Sequence, residues 1–185
     1  MDTLAFILSI SGLIIGVSAS IIKGKKMGLI LLCVLLSNFL MATSYVVEVI
    51  IGKDSLNGAI SCYIGCLLAG INFLFQRKDK DIPKWLIGIY ALVFITANLC
   101  GGRTWLSVLS IVACLTFIGG IAQKSGKGYR TWHVINSSLW CTFDILSEAH
   151  GPLVTHIILL TFDLAGIIIH DLKIKKKENN NEKNV

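Results

Sequence analysis

The chain has 185 residues, 54% of them hydrophobic and 15% charged, and its mean hydropathy is +0.73. Soluble domains carry roughly a quarter charged residues, so the composition excludes an ordinary soluble protein and points to one integral membrane domain without room for a further soluble module. The formal charge of +6 does not imply nucleic acid, because the cations stand beside apolar segments, where they set orientation and meet anionic lipid heads.

A helix needs about 20 mostly apolar residues to cross the hydrocarbon core. Seven segments are read as spans: 4–22, 27–51, 56–75, 84–100, 104–122, 131–149 and 152–170. The first is preceded by Asp2 and followed by Lys23, Lys25 and Lys26, the reverse of a secretory signal, so it reads as a span with its N-terminus outside. The second carries Asn38 and Tyr45 on one face, with Glu48 toward its end. After the turn Gly52-Lys53-Asp54-Ser55, the third carries Asn72 in its inner half. The fourth is short and holds Asn98; Gly101-Gly102 ends it. The sixth places His133, Asn136, Ser137, Trp140 and Asp144 within a sector of about 100°, a face that should point inward. The seventh has His156, Asp163 and His170 at intervals of seven, which puts them on one face. Pro83 and Pro152 stand at helix starts, where a missing N–H costs nothing. Residues 173–185, rich in Lys, Glu and Asn, read as a disordered cytoplasmic tail.

Charge sorting supplies the topology. Fifteen of the 17 Lys and Arg fall in four alternate stretches, around 23–26, 77–84, 124–130 and the tail, and only Lys53 and Arg103 fall on the other side. Positive charge is retained in the cytoplasm, so the N-terminus is outside and the C-terminus inside. A weak internal repeat accompanies this sorting. Leu8-Ser9-Ile10 matches Leu109-Ser110-Ile111, Asn38 falls opposite Asn136, and Ala69-Gly70-Ile71 opposite Ala165-Gly166-Ile167. The fold expected is all-α, with seven transmembrane helices as a 3+1+3 parallel repeat of two three-helix bundles.

Ionisable groups at a helix centre cost about 2.5–3.5 kcal/mol on insertion scales and need a reason. Antiparallel packing of the sixth and seventh spans brings Asp144 and His156 to one depth, where they should face each other or share a water-filled pocket. Asn38, Asn136, Trp140, Tyr45 and Asn72 are the candidate solute-binding residues. Asp144, His156 and Asp163 are the candidate charge or proton relay. Glu48, Glu148 and His150 read as solvated at the outer interface. The six cysteines all fall inside apolar segments and read as small buried hydrophobes; no disulfide framework, metal site or cofactor is expected. No hydrolase, phosphate-loop or zinc-protease motif occurs, and no catalytic residue is assigned: the protein is not read as an enzyme. Two readings remain. One is a transporter or facilitator of a small polar solute, and the alternative is a non-transporting membrane scaffold or regulatory subunit whose polar residues only tie helices together. Partners are the lipid bilayer and an unidentified solute, with self-assembly left open.

Arg130, Val134-Ile135-Asn136, Leu139-Trp140, the Gly151 turn and a last helix ending in a basic run resemble the YgjV family of bacterial inner-membrane proteins. Asn38, Asn57-Gly58 and Ala69-Gly70-Ile71-Asn72 before Arg77 fit the same pattern. That family is similar in topology to SWEET sugar carriers and PnuC-type vitamin-precursor transporters, which implies a solute path between two three-helix bundles, with Asn136 and Trp140 as pocket residues. The prolines that bend SWEET helices have no counterpart here, so that hinge is not implied.

Overall fold

A computed structural model describes residues 2–22, 26–78, 80–101 and 104–172, with side chains for 3–169 of these; the basic tail and His170 of the seventh-span stripe lie outside that description. Seven α-helices follow one another: α1 (Asp2–Ile21), α2 (Met27–Ile50), α3 (Leu56–Arg77), α4 (Lys84–Cys100), α5 (Trp105–Ile121), α6 (Gly126–Leu146) and α7 (His150–Gly166), and α7 runs on into a π-helical turn, Ile167–Leu172. There is no strand among the described residues.

Four helices (α1, α2, α3 and α7 with its extension) are long and apolar enough to cross a membrane, while α4 and α5 are apolar but shorter. The outward faces are apolar: Ile14, Leu67, Leu92 and Trp105 are among the exposed side chains. The interior, by contrast, buries Ser, Asn, Asp, Glu and Arg residues. That inversion suits a surround of hydrocarbon, where lipid tails are as apolar as leucine and interhelical hydrogen bonds join the helices.

Helix ends follow local chemistry. The apolar run marks the sixth span from Thr131, but α6 starts five residues earlier, where Ser125 caps it by accepting from the Gly128 N–H. Its first turn is polar, so hydropathy alone misses it. Pro152 sits in the first turn of α7, as its missing N–H requires. α2 and α6 end alike. The Lys53 N–H reaches back to the Glu48 carbonyl and the Gly52 N–H to Val49; the Ala149 N–H reaches Asp144 and the Glu148 N–H reaches Ile145. Both are Schellman turns with a left-handed residue, Gly52 at φ +90° and Glu148 at φ +56°, and only the first has the glycine this position favours.

α2 packs between α1 and α3, and α6 between α5 and α7; α1 meets α7 and α3 meets α5, closing a ring of six helices. Polar bonds stitch the seams. Ser37 and Ser44 of α2 donate to the Gly12 and Ala5 carbonyls of α1, each at 2.8 Å, and Thr155 of α7 donates to the Ser9 carbonyl of α1. Asn57 of α3 donates to Ser107 of α5 at 2.8 Å. α4 lies outside the ring against α3 and α5. It is pinned there at one end by Tyr90 donating to Asn72 and at the other by Ser61 and Ser110 donating to Asn98. The bundle therefore has one end with the α1 N-terminus and the two Schellman turns, poor in cations, and an opposite end bearing the Lys/Arg-rich loops.

Candidate functional site

At the centre of the ring is a narrow cavity. α2 contributes Asn38 and Met41 to its wall, α3 Cys62, α5 Cys114, α6 His133, Asn136 and Trp140, and α7 His156. Its water-accessible space is about 40 Å³, room for about three waters at 10–15 Å³ each. Two imidazoles stand in this wall, and each is held from behind by a carboxylate without exposed surface.

The first pair is Asp144 of α6 with His156 of α7, Oδ2 to Nδ1 at 2.6 Å. The second oxygen of Asp144 accepts from the Tyr45 hydroxyl of α2 at 2.5 Å, so one carboxylate ties three helices. Trp140 lies nearly parallel to the His156 ring, with centroids 5.9 Å apart, and stands edge-on to Phe143. Tyr45 can reach because Gly58 of α3 leaves its ring space: a Cβ there would lie 2.8 Å from two ring carbons.

The second pair is Asp163 of α7 with His133 of α6, again through Nδ1. Tyr129 stacks on His133 at 5.0 Å, and Ser137 lies within 3.5 Å of the same nitrogen. Seven residues along α7 separate the pairs, about 10 Å of helix rise. The cavity thus has an imidazole at each of two depths. With each Nδ1 engaged by a carboxylate, Nε2 is the nitrogen left to the cavity, and the carboxylate sets ring orientation and tautomer. A carboxylate paired with a doubly protonated imidazole is net neutral; with one N–H proton on the ring the pair keeps a negative charge in a buried site, which is costly.

The facing of Asp144 and His156, expected from the sequence, is present. Asn38, Asn136 and Trp140 line the cavity. Asn136 also donates to the Ala113 carbonyl at 2.6 Å and to Thr116, while Asn38 points its amide nitrogen toward Gly65. Tyr45 and Asn72 do not line the cavity. Tyr45 serves Asp144, and Asn72 spends its amide on the Ile121 carbonyl and its oxygen on Tyr90, tying α3 to α5 and α4. Asp144 and Asp163 stand one residue behind the wall.

Glu48 departs from expectation. It is 3% exposed rather than solvated, because the Schellman turn folds Lys53 back over it, with the ammonium 3.8 Å from its carboxylate. Glu148 and His150 are exposed as expected. Arg130 is also buried, and it donates to the Ser20 and Ile22 carbonyls at the C-terminal end of α1.

The His133–Asp163 pair escaped the reading of the sequence, although a register argument reaches it. In antiparallel helices, stepping eleven residues back along α6 from Asp144 moves eleven forward along α7 from His156, to 167, one turn past Asp163. Among the described residues no three His, Cys, Asp or Glu side chains gather closely enough to hold a metal ion. Comparison with known proteins finds no counterpart: no family model, no curated protein and no solved structure matches the chain.

Proposed function

We propose that the chain is a multi-pass inner-membrane transporter or facilitator of a small polar solute, which passes between bundle α1–α3 and bundle α5–α7. The observation that carries this reading is the central cavity with its two carboxylate-backed imidazoles at different depths; intramembrane carboxylates and histidines of this kind mark substrate and proton paths. Asn38, Asn136 and Trp140 contact the solute, and the two pairs handle protons. No catalytic role is assigned to any residue. The cation-poor end faces outward and the Lys/Arg-rich end the cytoplasm. The matching Schellman turns of α2 and α6, and the middle place each takes in its bundle, support a parallel repeat with α4 as the link. The kinship with the YgjV family belongs to the same proposal.

The cavity has room for only about three waters, so passage requires the bundles to part. They are bridged at the outer end by Tyr45 to Asp144 and by Lys53 to the Glu148 carbonyl at 2.7 Å. At the inner end Arg130 bridges α6 to α1. The second reading, a scaffold without transport, draws on Asn72, whose hydrogen bonds are spent between helices, and on Asn98, whose oxygen accepts from α3 and α5. Stopped-flow swelling of proteoliposomes with a panel of small polyols, amides and amino acids separates the two. Transport requires swelling with at least one solute, reduced by Trp140→Ala and Asp163→Asn but not by Asn72→Leu. No swelling above empty liposomes, or wild-type rates in both Trp140→Ala and Asp163→Asn, would sink the proposed path.

A further inference from the structure

The outer end of the bundle holds a second cavity, of about 390 Å³, lined by Thr3 and Phe6 of α1, Glu48, Lys53, and His150 with Gly151 of α7. Glu48 is the buried charged member, and its Oε2 has no hydrogen-bond partner. The hydroxyls of Ser55, at the start of α3, and Ser147, at the end of α6, are likewise buried and without partners. Buried polar atoms are almost always hydrogen-bonded, so this layer is one that water reaching in from the outer cavity would satisfy. Glu48 lies one turn beyond Tyr45 on the same face of α2. The Tyr45 hydroxyl already donates to Asp144, and Asp144 bonds His156, which lines the central cavity. Protonatable groups therefore succeed one another from outer cavity to central cavity, and the two cavities share no lining residue.

We propose that Glu48 is the outer proton acceptor of this protein, passing protons through the Tyr45 hydroxyl to the Asp144–His156 pair by a route separate from that of the solute. This rests on the reading of the pair as a proton site. A proton from the outer cavity binds the Glu48 carboxylate. Glu48 then gives a proton to the Tyr45 oxygen, directly or through one water, as Tyr45 gives its own to Asp144. Glu48 returns to its ionised form, and the net change is one positive charge carried inward to the pair. Only O–H and N–H bonds form or break.

Among the described residues lining the outer cavity, the groups around Glu48 are Lys53, 3.8 Å from it, and His150, with Thr3 and Phe6 of α1 beside them. The groups facing Asp144 are Tyr45 from α2, Cys62 from α3, Cys141 on α6 and His156 from α7.

A pH jump on proteoliposomes adsorbed to a solid-supported electrode reads this charge movement with protons alone as the probe. Wild type should give a transient current. Glu48→Gln should slow its relaxation about a hundredfold, the usual worth of a positioned proton-transfer group, while displacing the same total charge, because the pair that receives the proton is intact. Glu48→Asp should restore the rate to within about tenfold, which distinguishes a lost carboxyl from lost folding. Asp144→Asn should remove the displaced charge. A wild-type relaxation rate in Glu48→Gln, loss of the total charge in that variant, or no current in wild type would each overturn the role given to Glu48. Full displaced charge in Asp144→Asn would instead overturn the reading of the pair, whatever Glu48→Gln does.

Discussion

Removing one hydroxyl tests how strongly α2 and α6 are tied at the cation-poor end of the ring. Tyr45 and Asp144 have no exposed surface, and their oxygens are 2.5 Å apart across the ring from α2 to α6. Hydrogen bonds to charged groups contribute about 1.5–3 kcal/mol. Interhelical hydrogen bonds measured in a membrane protein average only about 0.6 kcal/mol and reach about 1.7 kcal/mol, because the unfolded chain in the bilayer finds other partners. A short bond to a carboxylate already engaged by His156 belongs at the top of that range, so Tyr45→Phe and Asp144→Ala should show a coupling of about 1.5 kcal/mol in a double-mutant cycle. Tyr90→Phe provides the scale. It breaks a neutral 2.9 Å bond to Asn72 and should cost about 0.6 kcal/mol. Steric trapping in bicelles gives the unfolding free energies. A Tyr45–Asp144 coupling no larger than the Tyr90→Phe effect would refute the claim that this contact is charge-assisted and holds the bundles together.

Glu148 occupies a left-handed position at φ +56°, where a side chain costs about 1–2 kcal/mol. Glu148→Gly should therefore raise stability by about 1 kcal/mol in the same assay, since the hydrogen bonds Glu148 makes with Lys53, Ile145 and His150 all run through its backbone. Asn98→Ala strips an acceptor from Ser61 and Ser110 and should cost about 1–3 kcal/mol, less for Ser110, which keeps the Ser107 carbonyl, than for Ser61. Limited proteolysis near residues 78–84 should quicken in that variant as α4 loosens from α3 and α5. Gly58→Ala forces the Tyr45 ring away from a Cβ at 2.8 Å; it should cost about 1–3 kcal/mol through overpacking, and most of that cost should vanish in a Tyr45→Ala background.

The apolar runs and the alternating cations were enough to place seven helices, because segment length and loop charge are local properties. The depth argument joined Asp144 to His156 for the same reason: two antiparallel neighbours share a simple register. Tyr45 was legible as a polar face of α2 but not as the partner of Asp144, since the two meet across the ring through side chains alone. Asn72 shows the opposite limit. A lone buried Asn reads the same whether it faces a cavity or a neighbouring carbonyl, and here packing of α4 decided for Tyr90 and Ile121. Glu48 was misplaced because burial came from Lys53 folding back over it, a consequence of turn geometry at Gly52. The start of α6 lay hidden in a polar first turn whose signal was a capping serine rather than hydropathy.

Cys62 offers the most direct test of a water path between the two bundles, because it stands in the cavity wall and is 7% exposed. In a variant keeping Cys62 as its single cysteine, a membrane-impermeant methanethiosulfonate added to sealed vesicles should modify the thiol, as a path that opens to water requires. A companion variant keeping only the exposed Cys100 confirms that the reagent reaches the protein. Modification of Cys62 from at least one side of the membrane is the result expected. Modification of Cys100 with Cys62 silent from both sides would contradict a solute path through the ring.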